Sequence, residues 1–238
     1  MKTIFTTVAA LQAANIKSQG AIMAMPFTDQ DMALKAANLA ASRVGSLKLN
    51  EVILDVCQES ILLAIHDTAR QGFVSTINQA FAATQSPWFG YMAQDAFAGR
   101  NWLALALQKM QTQKDASLLG FNDGKWQGQL ASFGLARRNW VANVYSGAFF
   151  FQGYQSHFAD AELTLVARQQ SVYAYEPQSV LMEVDWLKDQ ASVNEPDRRL
   201  FNTRKHTGFG NRVTDPQWLQ FAYRGQLGGF PHGCRLES

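Results

Sequence analysis

Trp88-Phe89-Gly90-Tyr91-Met92-Ala93-Gln94-Asp95-Ala96 is an apolar run that releases one carboxylate at its end. It follows Asn78-Gln79-Ala80-Phe81-Ala82-Ala83, so a helix-like segment feeds a strand and the strand stops at Asp95. In open α/β sheets, ligands bind at the carboxyl ends of the strands. An acid leaving the core at that point is placed to meet a ligand or to hold a cation.

The pattern repeats on both sides of this run. Ala21-Ile22-Met23-Ala24-Met25, ended by Pro26, has the continuous apolar character of a strand buried on both faces of a parallel sheet. Asp29 and Asp31 then precede an alanine-rich stretch from Met32 to Val44 that stops at Gly45, which predicts a capped helix. Val52 to Val56 predicts a second strand carrying Asp55, and Ser75 to Thr84 a helix ahead of the strand Trp88 to Ala93. Arg100 to Gln111 predicts a helix, Ala116 to Phe121 a strand, Ala159 to Gln170 a helix, and Ser171 to Tyr175 a strand closed by Glu176-Pro177. The alternation predicts an α/β fold with a mostly parallel central sheet flanked by helices.

Ile4 to Leu11 predicts a short N-terminal helix, because two threonines and the following Gln12 and Asn15 dilute a signal-peptide reading. From Lys188 onward Asn194-Glu195-Pro196-Asp197, Thr207-Gly208-Phe209-Gly210 and Gly228-Gly229-Phe230-Pro231 punctuate the chain, predicting a loop-rich C-terminal tail. The expected organisation is a domain over 1–187 and an extension over 188–238.

Composition excludes some classes. With 238 residues, 47% hydrophobic and 17% charged, the chain can bury a core. A net charge of +2 provides no dense cationic face, so no nucleic-acid partner is expected. No apolar run approaches the roughly 18 residues of a membrane span. Cys57 and Cys234 are isolated, which fits free thiols and a reducing, cytoplasmic setting rather than a zinc site.

Four sets of residues could carry chemistry. Asp95, with Glu183 and Asp185 in Val180-Leu181-Met182-Glu183-Val184-Asp185, could bring carboxylates around Mg²⁺ or Mn²⁺. Glu183 and Asp185 equally fit the solvent face of an edge strand. Asp160 and Glu162, after His157 and Phe149-Phe150-Phe151, could supply a general base at a helix N-terminus or simply cap it. Arg198, Arg199, Arg204, Lys205, His206 and Arg212, interleaved with glycines, could close over a diphosphate or form a solvated loop balanced by Glu195, Asp197 and Asp215. Trp126, Arg138 and Trp140 could stack on a sugar, although core packing explains Trp140 as well. No Gly-x-Ser-x-Gly, Walker A or Gly-x-Gly-x-x-Gly motif is present.

Taken in order, these motifs resemble the GT-A glycosyltransferases, the nucleotide-diphospho-sugar transferase fold, from Ala21 to about Trp186. Ala21 to Thr28 resembles the first strand and nucleotide-binding turn, which implies Pro26, Phe27 and Thr28 as nucleotide contacts. Val52-Ile53-Leu54-Asp55 resembles the second strand with its base-contacting acid, and Asn78 to Asp95 the helix and strand leading to the DxD-type metal motif. Phe121-Asn122-Asp123-Gly124 and Arg138-Asn139-Trp140-Val141 resemble acceptor-side loops. Phe158-Ala159-Asp160-Ala161-Glu162-Leu163 resembles the segment bearing the catalytic acid of inverting members, and Glu183 stands at the late metal-binding histidine.

The resemblance implies a divalent cation, Mn²⁺ or Mg²⁺, bridging the diphosphate of a nucleoside-diphosphate sugar, UDP-linked. It implies Asp160 deprotonating an acceptor hydroxyl. The chain departs from the pattern at Gln94, where relatives usually carry a paired acid and a ribose or second metal contact would have to come from the amide, at Glu183, and at Thr76-Ile77, where an arginine is usual before the implied nucleotide contact Asn78. Gln94 and Glu183 motivate a second reading, a catalytically degenerate nucleotide-binding protein acting as a sensor or assembly partner. A nucleotidyltransferase would need a glycine-rich basic loop after the first strand, and Pro26-Phe27-Thr28-Asp29 offers none.

Overall fold

A computed structural model describes residues 1–45, 57–184 and 194–223. Among these residues the strands are β1 (Lys2–Thr7), β2 (Ile16–Lys17), β3 (Ala21–Phe27), β4 (Ile61–His66), β5 (Thr84–Gln85), β6 (Trp88–Tyr91), β7 (Ala96–Ala98), β8 (Leu118–Asn122), β9 (Gly134–Arg137) and β10 (Tyr173–Glu183). The helices are α1 (Val8–Leu11), α2 (Gln30–Ser42), α3 (Phe73–Ala83), α4 (Trp102–Thr112), α5 (Arg138–Val144), α6 (Ala159–Gln169), α7 (Glu195–His206), α8 (Gly208–Asn211) and α9 (Pro216–Tyr223).

Eight strands form one sheet in the order β1-β4-β3-β6-β9-β8-β10-β7, and β2 pairs with β5 apart from it. The block β1-β4-β3-β6 is parallel throughout. β9 runs antiparallel to both β6 and β8, β10 is parallel to β8, and β7 is antiparallel to β10. Every residue of β3 is buried, as its unbroken apolar run predicts. Its side chains alternate between two cores. Ile22 and Ala24 join the one covered by α3 and α6, whereas Met23 and Met25 join the one covered by α2 and α4.

This layering locates a ligand crevice. α2 links β3 to β4 on one face, and α3 links β4 to β6 on the other, so the connections diverge around the carboxyl end of β3. Such a switch point is where open α/β sheets bind ligands. The strand beside it is fitted closely. A Cβ on Gly90 would collide with the Met23 sulfur and lie 2.7 Å from the Gly134 carbonyl oxygen, so only glycine lets β6 pack between β3 and β9.

Several sequence expectations are corrected. The N-terminal segment is an edge strand, not a helix, because the β-branched and aromatic residues Thr3 to Thr7 pair with β4. Helix begins only at Val8, where Thr7 Oγ1 accepts the Ala10 amide at 3.3 Å. Ile61–His66 is a strand that the sequence reading left out, and the expected strand Val52–Val56 lies outside the described residues. Strand β10 does not close at Glu176-Pro177. It continues through a register shift between Tyr175 and Val180 that accommodates the proline, whose carbonyl accepts from Asn122 Nδ2 at 2.8 Å. Within the tail expected to be loop-rich, residues 195–206 and 216–223 are helical. There Asn194 caps α7 by accepting the Asp197 amide, and Pro196 occupies the first turn. Among the described residues, no helix is long and apolar enough to cross a membrane.

Candidate active site

The carboxyl ends of β3, β4 and β6 meet at the switch point. Gln94, just past β6, turns its amide oxygen to the backbone N–H groups of Thr28 (2.8 Å) and Asp29 (3.0 Å). The residue expected to touch ribose or metal therefore pins the β3–α2 turn, while Asp29 caps α2 through the Met32 amide at 2.9 Å. Phe27 stacks on His66, which ends β4, with centroids 4.9 Å apart and planes 7° from parallel. Asp67 follows and is buried. Its two carboxylate oxygens accept the Gln71 and Gly72 amides at 2.9 Å each, which shapes the approach to α3. His66 and Asp67 were missed in the sequence, although the apolar run Ile61–Ile65 ending in His-Asp is the same signal that singles out Asp95. Asp55 lies outside the described residues.

The backbone brings Asp95, just ahead of β7, diagonally across from Glu183 of β10. Ala96 pairs with Glu183, and the Val184 amide donates to the Asp95 carbonyl at 3.3 Å. Lys125 Nζ lies 3.8 Å from Glu183 Oε2. Asp185 lies outside the described residues, and among those described no three His, Cys, Asp or Glu side chains group to hold a metal ion.

Asp160 stands in the first turn of α6, behind Phe158, whose left-handed backbone (φ 68) opens the helix. Burial pushes its carboxyl up from 3.8 to about 7. Hydrogen bonds from the Ala161 and Asp160 amides oppose this, and the negative charges of Asp123 and Glu183 add to it. Asp160 in turn helps to raise the Tyr91 hydroxyl, after burial. Through these couplings Tyr91, Asp123, Asp160 and Glu183 form one electrostatic neighbourhood, reached from β6, β8, α6 and β10.

No protein-family model matches this sequence, and no curated protein matches it either. Solved structures do share the architecture. The mannosyltransferase PcManGT of Pyrobaculum calidifontis, solved with GDP-Man and Mn2+, matches with a TM-score of 0.54 over 89% of this chain and 69% of its own, at 10% identity. Glucosyl-3-phosphoglycerate synthase of Mycobacterium tuberculosis, solved with Mn2+, UDP and phosphoglyceric acid, matches at 0.51 over 88% of this chain and 83% of its own, at 9% identity. The 1–349 portion of S. aureus TarS matches at 0.50 over 88% and 81%, at 10% identity. The fold is GT-A.

Within the GT-A frame, several expected site residues have other work. Glu162 is fully buried and takes Arg204 Nε and Nη2 at 2.7 Å each, with the Tyr154 hydroxyl donating at 2.9 Å. Its carboxylate is thus held in the core by Arg204 and Tyr154. The same contacts draw Arg204 out of the expected cationic lid and under α6, over the Phe151 ring at 3.4 Å. Lys205 and His206 share the last turn of α7, half-buried and exposed respectively. Asn78 spends its side chain on the Phe149 and Phe150 backbone, accepting their amides at 3.0 and 2.8 Å and donating to the Phe150 carbonyl at 3.1 Å. Arg138, expected on the acceptor side, donates to the Ser86 and Phe81 carbonyls and to Thr84 Oγ1, and lies over the Phe81 ring at 4.3 Å. Burial lowers its guanidinium to about 10. Trp126 is half-buried against the α3–α6 core, with its backbone amide held by Asp123 at 2.9 Å.

Proposed function

We propose that this protein is a glycosyltransferase that moves a sugar from a nucleoside-diphosphate sugar, UDP-linked, to an acceptor hydroxyl with inversion. The observation that carries this reading is Asp160: a carboxyl raised to about 7 at the head of a helix, beside the switch point of a GT-A sheet. A base is most effective when its pKa lies near the working pH.

Asp160 takes the proton of the acceptor hydroxyl as that oxygen attacks the anomeric carbon. The bond from that carbon to the diphosphate oxygen breaks, and its electron pair leaves with the nucleoside diphosphate. The Pro26–Thr28 turn, fixed by Gln94, and the Phe27–His66 stack form the nucleotide platform. Asp95 and Glu183 would hold the cation, joined by Asp185 directly after Val184 in sequence. Two carboxylates suit Mg²⁺ or Mn²⁺, which commonly take one or two protein carboxylates and complete their shell with substrate phosphates and water. When bound, the cation neutralises charge on the departing diphosphate.

Calorimetric titration of UDP with and without Mn²⁺ tests the binding half of this reading. Binding that needs Mn²⁺ and is lost in Asp95→Ala supports it. Binding indifferent to both contradicts the metal bridge.

A further inference from the structure

Three residues on one face of α7 meet successive positions of the segment that carries Asp160. Asp197, Phe201 and Arg204 stand at i, i+4 and i+7, the spacing of a single helical stripe. Asp197 holds the stretch ahead of α6. Its Oδ1 accepts the Gln155 amide and its Oδ2 the Ser156 and His157 amides, at 2.8 Å each. Phe201 stacks on Phe158, with centroids 5.0 Å apart and planes at 28°. Arg204 reaches past Asp160 to Glu162. The same stretch is held from the other side by α3. There the Val74 amide donates to the Gln155 carbonyl at 3.0 Å, and a Cβ on Gly72 would lie 2.6 Å from that oxygen. A first-turn carboxylate serving only the helix dipole needs no burial, yet Asp197 is 2% exposed. Burying it is costly unless its oxygens are bonded, and the amides of 155–157 supply those bonds. Next in the chain is Phe158, whose left-handed backbone (φ 68) is unfavourable for a residue with a Cβ. It sets the direction in which α6, with Asp160 in its first turn, leaves the loop.

We propose that Asp197 is a positioning residue for Asp160: by fixing the backbone of residues 155–157, it sets the angle at which α6 presents the proposed base to the acceptor oxygen. Base catalysis depends on geometry first, and a displacement of about 1 Å can cost about 10²-fold in rate. Asp197 acts on the backbone and not on the donor, so its removal lowers turnover and leaves nucleotide binding in place. Asp197→Asn is the selective change. An amide side chain has one acceptor oxygen where the carboxylate has two, so at least one of the three backbone amides loses its partner and faces an NH₂ group. This inference rests on the nucleotide-sugar reading above and adds to it the element that aims the base.

The test is hydrolysis of UDP-glucose, UDP-galactose and UDP-N-acetylglucosamine with Mn²⁺ by the wild type, Asp197→Asn, Asp160→Asn and the double variant. Rates are taken per UDP-binding site, counted by calorimetry, which removes any unfolded fraction. Asp197→Asn is expected to lose at least about ten-fold in kcat, with its UDP affinity within about two-fold of the wild type. Added to Asp160→Asn, it is expected to lower the rate no further, because residues that act as a unit are not additive. Phe201→Leu, which removes the stack on Phe158, is expected to give the same pattern and takes its place if Asp197→Asn does not melt cooperatively. An unchanged kcat, a loss of equal size with and without the Asp160 carboxylate, or a fall in UDP affinity as large as the fall in rate overturns the positioning role and leaves the glycosyltransferase reading standing. A wild type that releases sugar from none of the three donors overturns both.

Discussion

Asp160 and Glu162 are two residues apart in one helical turn and have opposite fates. Glu162 is locked to Arg204 and Tyr154 in the core, whereas Asp160 is held near neutral pH by burial and by neighbouring carboxylates. A carboxyl with a raised folded pKa binds its proton more tightly when folded than when unfolded. Its contribution to stability is therefore present in acid and lost as pH rises from about 4 to about 7. Asp160→Asn is accordingly expected to melt higher than the wild type at pH 8 and nearly alongside it at pH 3.5, read by thermal denaturation. If turnover is measured, the proposed base is expected to give an acidic limb, with kcat rising through about pH 7 as Asp160 loses its proton. Glu162→Ala leaves the Arg204 guanidinium in an apolar setting without its partner. It is expected to cost about 3–5 kcal/mol of stability in urea denaturation. Neither the pairing nor its consequence was legible in the sequence, because Glu162 and Arg204 are brought together across 42 positions by tertiary packing.

At the scale of elements, strands buried on both faces were the easiest to read. β3 and β6 and the helices α2, α3, α4 and α6 stand close to where periodicity placed them, since a continuous apolar run or an amphipathic stripe is a local property. β1 was misread because a strand with half-exposed threonines resembles the start of a helix until its partner β4 is known. β4 was overlooked because Val52–Val56 offered a competing run shortly before it. The consequence reached the site, because His66 and Asp67 at the end of β4 went unnoticed. The tight crossing of β6 yields a further test. Gly90→Ala forces a methyl against Met23 and the Gly134 carbonyl, and is expected to cost about 1–3 kcal/mol, read as a lower denaturation midpoint at unchanged slope.

At the scale of the whole molecule, the C-terminal helices belong to the machinery of the sheet. Asp197 of α7 accepts the amides of Gln155, Ser156 and His157 at 2.8 Å each, and Phe201 stacks on Phe158 with centroids 5.0 Å apart. Arg204 reaches the next turn at Glu162. Helix α7 thus grips the chain on both sides of Asp160, with Arg204 turned inward to Glu162. A GT-A sheet with a switch point at β3, the Asp160 carboxyl raised to about 7, and Asp95 and Glu183 at the end of the β7–β10 ladder are the features on which the proposed sugar transfer rests. The most direct test of that claim is donor hydrolysis with UDP-linked sugars and Mn²⁺, comparing the wild type with Asp160→Asn. The account expects the wild type to release free sugar and UDP, with the rate rising through about pH 7, and Asp160→Asn to fall by about 10²-fold or more while still binding UDP. Equal release by both proteins, or none by a wild type that binds UDP and Mn²⁺, would contradict it.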